Sequence, residues 1–160
     1  PISALQDLRG KRMVFGHKGS TMGYLVPRHM LWKAGIDLKS LGSYGFLPNQ
    51  EDVALSVLAG IYDAGAVRQQ IFEQFEARGL KAVVWTPLLS EHVFVASSKL
   101  DPKTRQALAQ ALLDLSKAPG GFEILAAIQR SATGFVPASE SDYEAFKGII
   151  ADTDKLEAAK

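Results

Sequence analysis

Two hydrophobic rhythms alternate along the first half of the chain. Met13-Val14-Phe15 is a continuous apolar run that breaks at Gly16, and after Thr21 the apolar residues return at helical spacing. Tyr24, Pro27, Leu31 and Ala34 share one face of the predicted helix, which Gly35 closes. Pro27 sits inside this pattern, where its ring opposes the carbonyl of Gly23, so a kink is expected there. A short strand around Ser43–Phe46 comes next, then a helix over NQEDVALSVLAG, the small-residue strand YDAGAV, and a helix RQQIFEQFEARG with Ile71, Phe72 and Phe75 inward. KAVVWT reads as a further strand and Pro87 ends it.

Beyond a turn at Pro87-Leu88-Leu89 the pattern changes. HVFVAS has the alternation of a strand. Asp101 caps a helix with Pro102 at its first position, and Leu108, Ala111, Leu112 and Leu115 form its apolar stripe before Pro119-Gly120-Gly121 stops it. FEILAAIQ forms another short helix, and Ser141-x-x-Glu144 carries the capping-box signature of a last one. The order β-α-β-α-β-α-β predicts an α/β fold with a mostly parallel sheet flanked by helices.

Composition narrows the function classes. The 160 residues are 47% hydrophobic and 22% charged with a formal net charge of +1, so a packed core is expected and no basic field favours nucleic acid. Cysteine is absent, which excludes disulfides and thiolate chemistry. Three histidines without metal-ligand spacing give a zinc site little support. No apolar run approaches a membrane span. Pro1-Ile2-Ser3 reads as the interior of a longer polypeptide.

Candidate chemistry concentrates at GHKGSTMG. A strand that turns into a helix leaves the first backbone N–H groups without intrahelical partners at the positive end of the helix dipole. Ser20 and Thr21 would add hydroxyls there, and Gly19 and Gly23 permit close approach. The same pair also reads as a plain helix cap, and the pattern matches neither familiar phosphate-loop signature. Glu51 and Asp52 open the second helix, where acids suit the dipole. Arg68 follows a strand and either clamps an anion or lies exposed. His17 shares the loop with Ser20 and reads as an exposed loop histidine. Trp85 and Tyr62 read as core or rim, and His29 and His92 receive no role.

LQDLRGKRMVFGHKGSTMGYLVPRHMLWKAGID, EDVALSVLAGIYDAGAVRQQIFEQF, KLDPKTRQALAQALLDL and FVPASESDYEAF, in this order, resemble the phosphate/phosphite/phosphonate-type periplasmic binding proteins of ABC importers. The resemblance implies a type II-like Venus-flytrap protein, periplasmic or otherwise extracytoplasmic, that captures a small oxyanion without turning it over and delivers it to a membrane permease. No cofactor and no metal are expected, since the chain carries no metal-ligand cluster. Residues 6–86 would form the ligand-binding second lobe, and 87–160 a return segment packing with the first lobe, most of which is missing from this chain.

Carried over residue by residue, Ser20 and Thr21 match the hydroxyl pair that grips the anion, helped by the N–H groups of Thr21, Met22 and Gly23. Met22 departs from the small or hydroxyl residue usual there. Glu51 stands where such proteins commonly carry a histidine, and an acid beside an oxyanion requires a proton or a ligand amine. Asp63 matches a commonly acidic position and either meets a ligand amine or is structural. Arg68 resembles a subgroup used as sensing modules, so the alternative function is a ligand-sensing input domain of a chemoreceptor or sensor histidine kinase.

Overall fold

A computed structural model describes residues 2–87, 89 and 93–158. His92 and Leu88 lie outside the described residues. The chain forms two compact units, Pro1–Leu89 with Glu144–Lys160, and Ser90–Tyr143. The last helix therefore belongs with the first unit, whereas the sequence reading groups it with the return segment.

In the first unit, strands β1 (Arg12–Phe15), β2 (Ser43–Phe46) and β3 (Ala64–Gly65) form a parallel sheet of order β2-β1-β3. Arg12 pairs with Ser43 and Phe15 with Phe46, while Met13 and Val14 pair with Ala64 and Gly65. Helices α1 (Val26–Lys33), α2 (Gln50–Leu58) and α3 (Gln69–Glu76) follow the strands in turn.

Side-chain alternation sends β1 into two cores. Met13 and Phe15 pack with Tyr24, Leu31 and Ile36 on the α1 side. Val14 faces the other way, toward Val53 and Val57 of α2, where Gly65 leaves room for them. The fully buried ones, such as Val14, Phe15, Leu31, Ile36 and Val53, contribute roughly 1.5–3 kcal/mol each. A strand covered on both faces reads as continuously apolar, which is why MVF carries no alternation.

The predicted helix from Thr21 divides at the proline. Thr21–Leu25 is a π-helical turn, and α1 begins at Val26. The kink expected at Pro27 is thus a local widening. α1 and α2 both end near left-handed glycines, Gly35 (φ 74) and Gly60 (φ 72).

KAVVWT and HVFVAS are not strands among the described residues. A strand needs a hydrogen-bonded neighbour, and residues 81–86 find none among the described residues; Val84 and Trp85 are exposed. Trp85 instead meets Phe72 edge-on at 5.3 Å.

The second unit contains α4 (Pro102–Leu113) and α5 (Gly121–Ile128). Asp101 Oδ1 accepts from the Thr104 N–H at 3.0 Å, so the predicted cap is present. The stripe on α4 is only partly covered: Leu108 is exposed and Leu112 and Leu115 are half-buried. Helix α6 (Glu144–Ala158) follows a 3-10 turn, Glu140–Tyr143, that covers the first three residues of the predicted capping signature. Ser139, just ahead of that turn, donates through its N–H (2.7 Å) and its hydroxyl (3.0 Å) to Asp142 Oδ2. α6 packs on α1 within the first unit, where His29 Nε2 and Asp152 Oδ2 stand 3.2 Å apart. This partner gives His29 a structural role.

Candidate functional site at the carboxyl end of the sheet

The chain leaves β1 for β2 on one side, then crosses back to β3 on the other. This makes the carboxyl end of β1 a topological switch point, where connections part and leave a crevice. Three connections meet at that end: the loop 16–20 with its π turn, the Asn49-led start of α2, and the Arg68-led start of α3.

The first connection holds Ser20, Thr21, Met22 and Gly23 together. Ser20 is an N-cap in extended conformation whose Oγ accepts from the Gly23 N–H at 3.0 Å. The plain-cap reading of Ser20 therefore holds for its acceptor lone pair, and the Gly23 N–H is occupied by it. The Thr21 and Met22 N–H groups find no partner among the described residues. In a first helical turn these donors point outward along the axis, at the positive end of the dipole. Thr21 and Met22 are partly exposed, so water or a ligand reaches them.

The neighbouring connections are braced against each other. Asn49 Oδ1 caps α2 by accepting from the Asp52 N–H at 2.7 Å. Gln50 Oε1 accepts from the Arg68 N–H at 2.7 Å, tying the starts of α2 and α3. Glu51 and Arg68 are both exposed at this same end of the sheet.

Asp63 lies elsewhere. It precedes β3 at the amino end of the sheet, where its carboxylate accepts from Arg12 Nη2 (2.8 Å), Nε (3.1 Å) and the backbone N–H (2.8 Å). These bonds, with the side-chain one foremost, hold its pKa down at about 2. Of the two alternatives for Asp63, the geometry fits the structural one. His17 is also engaged, its Nδ1 accepting from the Gly19 N–H at 3.0 Å.

Sequence reasoning passed over Lys18 and Gln50. Lys18 extends from the loop over the Phe46 ring, 5.1 Å from its centroid, placing a cation beside the end of β2. Its place between His17 and Gly19 offers a signal; the partnership of Gln50 with Arg68 offers none, since it spans eighteen residues. Among the described residues no group of three or more His, Cys, Asp or Glu is placed to hold a metal, and no described helix is long and apolar enough to cross a membrane.

Residues 1–143 match the family described as the ABC transporter, phosphonate, periplasmic substrate-binding protein. The chain is 34% identical over 74 residues to the probable ABC transporter phosphite binding protein PhnD1 of Prochlorococcus marinus, covering 45% of this chain and 25% of that protein. It is 25% identical to the phosphate-import protein PhnD of Mycolicibacterium smegmatis over 92% of this chain and 53% of the relative. The chain thus spans about half the length of that relative. Among solved structures, PhnD1 of Prochlorococcus marinus in complex with methylphosphonate superposes with a TM-score of 0.81 at 26% identity, over 97% of this chain and 61% of that one. With its parallel sheet, flanking helices and switch-point loop, the chain belongs to the periplasmic substrate-binding proteins of the phosphonate type.

Proposed function

We propose that this chain carries the anion-seating lobe of an extracytoplasmic solute-binding protein, which captures a small phosphate- or phosphonate-like oxyanion for an ABC importer. The observation that carries the reading is the pair of unpartnered amides, Thr21 and Met22, beside two hydroxyls at the switch point. The methylphosphonate bound to the Prochlorococcus relative supports the ligand class.

In this reading an anion oxygen accepts from the Thr21 and Met22 N–H groups, and the hydroxyls of Thr21 and Ser20 donate to the others. Ser20 serves twice, since its lone pair caps Gly23 while its proton is free to turn toward the ligand. Lys18 adds positive potential at the rim. Glu51 would favour a ligand carrying an amine or a proton, and Arg68 a further anionic group. Asp63 is left to hold the sheet. Closure by a first lobe outside this chain would exclude water and strengthen each charge-assisted bond.

The second unit is consistent with a missing partner surface. Among the described residues, Gly121 and Leu125 are its buried ones, while Phe94, Phe122, Ile124 and Val136 are exposed. An apolar surface of that kind marks an interface, and we assign it to the portion of the protein beyond this chain.

The protein binds without catalysis in this reading. Its relatives are transport proteins, and the one histidine in the anion loop already accepts from Gly19. The test is calorimetric titration of the intact protein with phosphate, phosphite and methylphosphonate. One-site binding of at least one of them at micromolar affinity or better is expected; no heat with any would defeat the proposal.

A further inference from the structure

The geometry points to a backbone clasp between Gly16 and Gly23, imposed by Pro27, as the device that shapes the anion turn. In a regular α-helix the Gly23 carbonyl would accept from the N–H of residue 27, but a proline there has none. The carbonyl accepts instead from the Gly16 N–H at 2.9 Å, reaching back to the residue that ends β1. Around it the helix is widened: Leu25 and Val26 donate to Ser20 and Thr21, five residues earlier.

Packing leaves room for nothing else. A Cβ on Gly16 would stand 3.2 Å from Gly23 Cα, and one on Gly23 would stand 2.8 Å from Ser20 Oγ and 3.1 Å from Gly16 Cα. Gly16 has an ordinary backbone conformation, so its need for glycine comes from this contact alone. Gly23 is thereby held at both of its polar groups, N–H by Ser20 and C=O by Gly16. Thr21 and Met22 remain as the outward donors. Gly16, Gly23 and Pro27 are positioning residues, acting on the ligand through the orientation of these two amides. The inference rests on reading this turn as the anion's seat.

Pro27→Ala in the intact protein separates positioning from mere stability. It returns an N–H at residue 27, so an α-helical bond to the Gly23 carbonyl competes with Gly16. The expected result has two parts: thermal stability close to wild type, because residue 27 stands in the first turn of α1, where proline and alanine are both accommodated, and affinity for methylphosphonate or phosphate at least tenfold weaker. Amide hydrogen exchange at Gly16, slow in the wild type, should become fast. Gly16→Ala approaches the same clasp from the other side and should weaken binding to a similar extent. Wild-type affinity in Pro27→Ala, or weakened affinity with Gly16 still protected, would overturn the clasp while leaving the anion site standing. Absence of binding by the wild type would instead remove the functional reading and the clasp's role with it.

Discussion

The two ends of the three-stranded sheet are built from the same elements and handle polar groups in opposite ways. At the amino end, Arg12 and Asp63 satisfy one another through side chains and backbone, and Arg12 Nη2 also reaches the Gly60 carbonyl at 3.0 Å. At the carboxyl end the Thr21 and Met22 amides are left without protein partners among the described residues. One end closes its hydrogen bonds to hold the strands in register, and the other holds two open. In a parallel sheet the strands' carboxyl ends are also where helix N-termini converge, so donors accumulate on that side by construction.

The largest expected effect breaks the open end. Ser20→Ala with Thr21→Ala should weaken oxyanion binding by about 2–4 kcal/mol, given roughly 1.5–3 kcal/mol per hydrogen bond to a charged group and incomplete additivity. Calorimetric titration reads that loss. The lost cap at Ser20 should lower stability by about 1 kcal/mol in a parallel denaturation experiment. A double variant binding like wild type would remove the two hydroxyls from the anion's seat.

The closed end should behave in the reverse sense. Asp63 has a folded pKa of about 2 against an ordinary 3.8, so its contribution to stability is full above 3.8 and is lost as pH falls toward 2. Asp63→Asn should lower the melting temperature at neutral pH, flatten the acid limb of stability between those values, and leave anion affinity unchanged. Melting curves at a series of pH values, with titration at neutral pH, check all three. A loss of affinity equal to that of the Ser20/Thr21 variant would merge the two ends into one site.

The smallest expected effect sharpens the comparison within the open end. Glu51→Gln removes a negative charge near the proposed anion and should raise affinity for phosphate by less than about tenfold, with the gain shrinking in high salt. If the natural guest carries an amine, the same change should weaken its binding, so titration with phosphate and an aminoalkylphosphonate divides the two cases by sign.

Much of this was legible in the sequence where the cause is local. The MVF run, the inward faces of α1 and α3, the helix at α2, the Asp101 cap and the disturbance at Pro27 each arise from residues within a few positions of one another. Ser20 was legible both as cap and as candidate ligand group, and the structure gives its lone pair to the cap. What failed is non-local. KAVVWT has the composition of a strand, but strand formation depends on a neighbour that its own residues do not encode. Asp63 lies 51 positions from the arginine that claims it, so its role was open from sequence alone. The start of α6 is local too, yet a 3-10 turn over Glu140–Tyr143 stands where the Ser141-x-x-Glu144 signature expects the cap.

The bridge between His29 and Asp152 has a bearing on how the molecule is made. It spans 123 positions, and everything between is synthesised before α6 can settle on α1. The sheet and its first helices leave the ribosome early, yet α1 must wait for its cover until α6 has been synthesised. Contacts of such long separation form slowly, so a nascent form with an uncovered α1 has time to meet chaperones or its own kind.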